Sequence, residues 1–462
     1  MADTIYKTEA EVLDAAERVL ERSLRAFIPE SDMPEIESNL IKYSNNRKGY
    51  LGDLIEQYVF NIKNNSRAES DFKIAGIELK TTPLKVHAKK RFVSKERLVF
   101  SMINYEEIIH ETWETSSFLE KNKLLLILFY LYSKDESLLD YEFKFVYLLN
   151  LLEDISEQDI DQIRSDWEAI VAKIRRKEAH LLSEADTYYL GACTKAKNSQ
   201  VTRTQAGGLG IPAKPRAFSL KQSYLNYIIQ KDLLENDTQT ESIYKDESSE
   251  QTIEEVVQDK FKGYIGLTGE QILKKLKWQP DANSKNQKRL IVNRILTGTG
   301  SNKIEEFEKA NITLRAVALE PNGKLRESIS FPAFDYKDLI TQEWYDEETG
   351  EMSAFHAQLE TQKFLFIIFQ KIAGTKDVVL RGFKFWNFPA QDMGEAERVF
   401  KLAQERIREG DYKKLPKTSE SPVAHVRPHD VKGKSIETPQ HTQEKRRCFW
   451  LNAKYIERFL KD

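Results

Sequence analysis

Apolar and polar residues follow two different periods along this chain, and the switch between them marks out its elements. Residues 9–27 place Val12, Ala16, Val19, Leu20, Leu24 and Phe27 at the three-to-four spacing of an amphipathic helix. Thr8 with Glu11 offers a capping box at its start. A second helix is expected over about 50–62, striped by Leu51, Leu54, Ile55, Tyr58, Val59 and Ile62. Short strands are expected near 71–75 and 76–82, then a helix near 104–119. The apolar run 124–132 has the length of a strand covered on both faces and is far too short to cross a bilayer. Residues 143–149 predict a further strand, and 157–178 a charged amphipathic helix. The sum is an α/β fold, a mixed central sheet flanked by helices.

The pattern occurs twice. Lys48 to Gln57 reads KGYLGDLIEQ and Lys262 to Gln271 reads KGYIGLTGEQ, so that Glu56 matches Glu270. Thr252 and Glu255 form a second capping box ahead of the second KGY segment. FLEKNKLLLILF from Phe118 resembles QLETQKFLFIIF from Gln358, and AFSLKQSYLNYI from Ala217 resembles CFWLNAKYIERF from Cys448. Matches in the same order along both halves imply two tandem copies of one fold. The expected division is 1–230, an acidic linker at 231–251, and 252–462. The linker is rich in Ser, Glu and Asp, a composition that buries little.

Composition changes this picture in one respect. A formal charge of −3 over 462 residues does not announce a nucleic-acid binder. The distribution differs from the sum. Lys195, Lys197, Arg203, Lys214, Arg216 and Lys221 lie in a stretch without an acid, and Lys85 to Arg97 is also basic. Between Asp232 and Asp259 there are ten acids and one lysine, which hide the basic patches in the total. Two cysteines make no disulfide framework, and the start of the chain lacks a basic, apolar leader, so a cytoplasmic protein without a membrane span is expected.

Hydrolysis of a phosphodiester needs a metal to polarise the phosphate and a cation to position the nucleophile. In Ile77-Glu78-Leu79-Lys80, strand alternation sends Ile77 and Leu79 to one face and Glu78 with Lys80 to the other. Asp71 can add a second carboxylate and Glu56 a third, hard oxygens of the kind magnesium selects. An acid two residues before a lysine occurs six times in this chain, so the triplet alone says little. Its context says more: apolar alternation, Asp71 upstream, and a helix bearing Glu56.

KGYLGDLIEQ, ESDFKIAGIELKTTP, Trp113-Glu114-Thr115-Ser116 and Lys121 together resemble the MutH mismatch-repair nuclease family of the PD-(D/E)xK superfamily. The resemblance implies that Glu56, Asp71 and Glu78 are metal-binding or catalytic acids, that Lys80 is the catalytic lysine, and that Lys121 assists. Ser70 stands where the family has proline. Tyr189 to Asn198 sits where the family has a base-reading loop; Lys195 is kept, but Cys193 occupies the arginine position and Ser219 a tyrosine position.

In the second copy, Thr313 and Arg315 stand at the positions of Glu78 and Lys80, an alignment that needs 21 extra residues after the KGY segment (235 − 214). Threonine offers magnesium no anionic ligand, so this copy is expected to be catalytically dead. It nevertheless carries His425-Val426-Arg427-Pro428-His429, similar to the base-reading loop with its arginine intact, and Trp450 where the first copy has Ser219. DNA contacts are therefore expected from Lys195, Lys197, Arg203, Lys221, Arg427, His429 and Trp450. Two unequal halves resemble the MutH-like type II restriction endonucleases that cut at GATC. The resemblance implies a Mg2+-dependent, site-specific deoxyribonuclease acting on double-stranded DNA; one active centre per chain then predicts two chains at a palindromic site, or two sequential nicks. The alternatives are a strand-nicking repair endonuclease and, in another class, a non-catalytic DNA-binding regulator.

Overall fold

The computed structural model describes residues 6–42, 47–62, 69–87, 91–196, 200–208, 210–236, 239–245, 250–280, 287–346, 351–429 and 435–460. The chain opens with three helices, α1 (Glu9–Glu17), α2 (Met33–Lys42) and α3 (Arg47–Tyr58). Strands β1 (Glu78–His87), β2 (Arg91–Ser94) and β3 (Leu98–Met102) follow, then helix α4 (Ser117–Asn122) and strands β4 (Leu124–Leu131) and β5 (Phe143–Asn150). Helix α5 (Glu157–Arg175), strands β6 (Leu190–Thr194) and β7 (Arg216–Leu220), and helix α6 (Gln222–Ile228) complete this half. The central sheet runs β2-β1-β4-β5, with β1 parallel to β4 and the outer pairs antiparallel, and a second sheet runs β3-β7-β6.

The second half starts with α7 (Ile253–Lys262), α8 (Gly269–Leu276), α9 (Gln287–Thr297) and α10 (Glu305–Ala310). Next come β8 (Ile312–Leu319), β9 (Ile329–Ser330), α11 (Tyr336–Leu339), α12 (Ala354–Thr361), β10 (Lys363–Lys371), β11 (Val378–Asn387) and α13 (Met393–Arg408). The chain closes through β12 (Ala424–Pro428), the hairpin β13 (Ser435–Glu437) and β14 (Gln443–Lys445), β15 (Arg447–Leu451) and α14 (Ala453–Leu460). Here β8 is parallel to β10, β11 is antiparallel to it, and the second sheet runs β12-β15-β9. Substituting β8, β10, β11 for β1, β4, β5, and β9, β12, β15 for β3, β6, β7, reproduces the strand order of the first half apart from the edge strand β2, which has no counterpart among the described strands.

Three expected elements differ, each for a local reason. The helix from residue 9 stops at Glu17, because Glu21 turns to φ +55° and its N–H donates to the Phe143 carbonyl at 2.8 Å. Residues 20–23 thus satisfy the edge of β5 instead of continuing a helix. Residues 71–77 form a tight turn and not a strand, closed by Phe72 N–H donating to Ile77 O at 2.9 Å with Gly76 at φ +70°. The helix near 104–119 reduces to a 3-10 turn at Ile108–His110 and to α4, where the Ser116 hydroxyl accepts the Leu119 N–H.

The halves are not beads on a string. Along β4, Leu124, Leu126, Leu128 and Tyr130 face a core under α1–α3, while Leu125, Ile127 and Phe129 face a second core. Strand β10 sends Leu365, Ile367 and Phe369 into that same second core and Phe364, Phe366 and Ile368 into a third. The middle core therefore belongs to both halves. The acidic connector is packed around Ile243, contrary to its composition: Ile243 is fully buried, and Ser242 and the Ile243 N–H both donate to the buried Glu306 carboxylate. One buried acid thereby captures a segment whose polar sequence reads as solvated. Lys309 of the second half lies 2.6 Å from Asp159 of the first, both nearly inaccessible.

Candidate active site

The turn at 71–77 does what strand alternation alone could not. It folds Asp71 back onto the start of β1, where its Oδ2 accepts the Leu79 N–H at 2.9 Å. Alternation then applies beyond the turn. Ile77 and Leu79 are buried in the core under α1–α3, and Lys80 Nζ lies 2.7 Å from Glu78 Oε1. Lys80 also donates to the Phe100 carbonyl at 3.4 Å. Lys121, near the end of α4, brings a second ammonium to 3.5 Å from the same Glu78 oxygen. Glu78 is only 3 % exposed, and its Oε2 is buried with no hydrogen-bond partner.

Electrostatics bind Glu56 to this group. Its carboxyl is pushed up to about 7, first by burial and then by the negative charges of Asp71, Asp53 and Glu78. Asp71 is pushed up to about 6 by burial and then by Glu78, against the Leu79 N–H and the two lysines. Carboxyls crowded in a place of low polarity either hold protons or attract positive charge beyond the two lysines. The donors are hard oxygens, and a buried carboxylate oxygen without a partner is a ligand position in waiting. Asp71 and Glu78, with Glu56 beside them, thus fit a divalent cation such as magnesium. Among the described residues no group of three or more His, Cys, Asp or Glu side chains is placed to hold a metal ion. Magnesium does not require such a group, since water and substrate phosphate fill most of its shell. Asp53, one turn before Glu56 on α3, was absent from the sequence-based set; its i, i+3 spacing to Glu56 is the signal that marks it.

The other candidate residues scatter. Lys195 and Arg203 are exposed, and Lys197 lies outside the described residues. Lys221 does not reach solvent: it is 1 % exposed and donates to the Thr187 carbonyl at 2.5 Å. Burial and the neighbouring Lys363 lower its pKa to about 8. Its basic sequence neighbourhood misled, because a lysine whose ammonium meets a buried carbonyl becomes a structural peg. Cys193 and Ser219 are buried on β6 and β7, as are the other residues of β7. Their counterparts in the second half face outward. Arg427 is exposed on β12, a strand and not a loop, with its guanidinium 3.7 Å from the centre of the Trp450 ring. His429 lies 6.2 Å from the same ring. His425 is buried and bonded to Asn452, which removes it from any surface role.

In the second half, Thr313 and Arg315 occupy the β8 positions of Glu78 and Lys80, with Gln362 Nε2 donating to Thr313 Oγ1 at 2.6 Å. Glu270 does not stand in for Glu56. It is exposed on α8, and the helix whose side chain reaches β8 is α9, which brings up Arg289. The extra length after the KGY segment is taken up by helices α8 to α10 ahead of β8.

Comparison with known proteins places this geometry in context. The family model described as the DNA mismatch repair enzyme MutH matches residues 60–166, which include Asp71, Glu78, Lys80 and Lys121. The type II restriction enzyme Sau3AI of Staphylococcus aureus is 31 % identical, with 90 % of this chain and 93 % of the relative covered. The chain belongs to the MutH-related type II restriction endonucleases. MutH proteins of Salmonella paratyphi C and Shigella flexneri are 28 % and 27 % identical, each over 40 % of this chain. These MutH-related endonucleases are site-specific deoxyribonucleases, so DNA is the substrate of the chain. No described helix is long and apolar enough to cross a membrane.

Proposed function

We propose that the chain hydrolyses DNA at GATC with Mg2+, using Asp71, Glu78, Lys80 and Lys121 for chemistry with Glu56 in support, and using its second half to engage DNA. The supporting observation is the shared Glu78: two ammonium groups on one of its oxygens, the other oxygen buried and free. Mg2+ held by Asp71 and Glu78 would polarise the phosphate and favour ionisation of an attacking water. Lys80, fixed between Glu78 and the Phe100 carbonyl, orients that water and takes up charge at the phosphate. Lys121 neutralises negative charge growing on the non-bridging oxygens. Glu56, beside these carboxylates, would serve as a further partner of the cation or of its water.

GATC rests on the likeness to MutH-related enzymes and on Arg427. Its guanidinium lies over the Trp450 ring at a solvent-facing edge and can give two parallel hydrogen bonds to guanine. Because β8 lacks the acids, each chain carries one cutting centre, and a palindrome is then met by two chains related by a two-fold axis. Lys80→Ala should abolish cleavage of unmethylated plasmid and leave DNA binding in place; unimpaired cutting sinks the assignment. End-sequencing of the digested plasmid reads the site, and linear product from a single-site plasmid distinguishes double-strand cutting from nicking.

A further inference from the structure

Where the first half gathers carboxylates, the second gathers guanidiniums. Arg289 on α9 donates through Nη1 to the Leu314 carbonyl at 3.1 Å, and Arg315 on β8 donates through Nη2 to the Ser330 carbonyl at 3.2 Å. Both side chains are partly accessible. Arg315 Nε is buried with no acceptor, and among the described residues the partners of the two arginines are these carbonyls, with no carboxylate paired to either. Burial and the charge of Arg289 both act against the charged form of Arg315. Thr313, at the position of Glu78, adds no negative charge and is held by Gln362.

Arg289 is anchored on the carbonyl of Leu314, the residue just before Arg315, so the two side chains converge on one stretch of β8. With no carboxylate paired to either among the described residues, they leave positive charge there for an anion to neutralise. A guanidinium fork matches a tetrahedral phosphate oxyanion, presenting parallel N–H groups to two of its oxygens. We infer that Arg289 and Arg315 form a phosphate-binding site that grips the backbone of duplex DNA without cutting it. The site sits at the β8 position that β1 uses for cutting, so the second half would hold a phosphate where the first half breaks one. This inference rests on the reading that the second half engages DNA, and it adds the contact that would carry non-specific affinity. Arg427 would read bases; the arginine pair would fix register on the backbone.

The test uses the full chain with Lys80→Ala, so that DNA stays intact, and a fluorescein-labelled duplex with one GATC. Binding is followed by anisotropy over a salt series. Arg289→Gln with Arg315→Gln should weaken binding and reduce the slope of log affinity against log salt by about 1, the loss of one phosphate contact. Arg289→Lys with Arg315→Lys should restore most of the slope. Arg289→Gln alone, on the helix, provides the same reading with a smaller loss if the double variant does not fold. Unchanged affinity and slope in the glutamine variants overturn the inference. Inorganic phosphate distinguishes the source of the anion: if it raises the thermal midpoint of the parent but not of the glutamine variants, while their DNA binding is unchanged, the site takes free phosphate and the duplex assignment is overturned. Arg427→Ala separates the two readings. Weaker binding in Arg427→Ala alone rejects the arginine-pair site and leaves the DNA-engaging second half standing. Full binding in all variants rejects both.

Discussion

Lys309 donates to Asp159 at 2.6 Å across the boundary between the halves, with side-chain exposures of only 5 % and 7 %. Glu305 lies 2.8 Å from the same ammonium, and the Ser223 hydroxyl donates to the Lys309 carbonyl. Burial disfavours the charge of Lys309, but Asp159 and Glu305 outweigh it and raise its pKa.

Removing one partner of such a pair leaves the other charged and dry, at about 3–5 kcal/mol when nothing else compensates. Glu305 remains in Asp159→Ala, so the expected loss lies toward the lower end of that range. Chemical denaturation should show it as a lower midpoint affecting both halves in one transition. Two separated transitions would contradict the shared core.

Gly76 holds φ +70° in the turn that aims Asp71, and a Cβ there meets no atom within 4 Å. Gly76→Ala therefore adds backbone strain and no clash, about 1–2 kcal/mol. Cleavage should fall by more than this loss of stability explains, because relief of the strain moves Asp71 off the Leu79 N–H. Plasmid cleavage beside thermal denaturation checks it.

Asp71→Asn keeps an acceptor for Leu79 N–H but removes the charge. Folding stability is expected to stay within about 1 kcal/mol of the parent. Divalent-cation affinity, read by titration calorimetry, and cleavage should both fall. A parent-like cation affinity would remove Asp71 from the proposed metal ligands.

His356 stacks on Trp344 with ring centres 4.4 Å apart and donates through Nδ1 to the Trp344 carbonyl. Burial outweighs that bond and lowers its pKa to about 4. The unfolded chain, with an ordinary histidine near 6.5, binds the proton first. Its contribution is thus complete above about pH 6.5 and lost as pH falls toward 4, on the order of 3 kcal/mol at most. His356→Phe should flatten the stability profile across that window in urea denaturation at several pH values.

Arg427→Ala should cost roughly 1–3 kcal/mol of discrimination at one guanine. Trp450→Ala removes the ring under Arg427 and should reproduce part of that loss. Competition between cognate and single-substituted duplexes measures both.

Much of this was legible in the residues. The apolar run of β4 declared a strand covered on both faces, and the capping boxes at Thr8 and Thr252 located two helix starts. Glu78 and Lys80 followed from alternation. What failed was turn closure and what depends on distant partners. Asp71 reaches the site through a turn whose closure involves Phe72 and Ile77, not through a strand. The matching of Glu270 to Glu56 failed because sequence likeness in the KGY segment does not specify which helix packs on β8. Lys221 carried a surface-like composition into a buried position, and Ile243 did the same for the connector. Charge counts along the chain cannot register either event, since both depend on a partner from elsewhere in the fold.

The packing of the connector limits how such a protein can be rebuilt. Glu241 bridges to Ile304, and Glu306 receives Ser242 and the Ile243 N–H, so the segment works as a clasp with a fixed seat. A chimera that exchanges the second half for another DNA reader must bring Glu306 and its seat along. Lengthening the connector with a flexible insert between Glu241 and Ile243, harmless in a tethered pair, would here unlatch a wall of the common core.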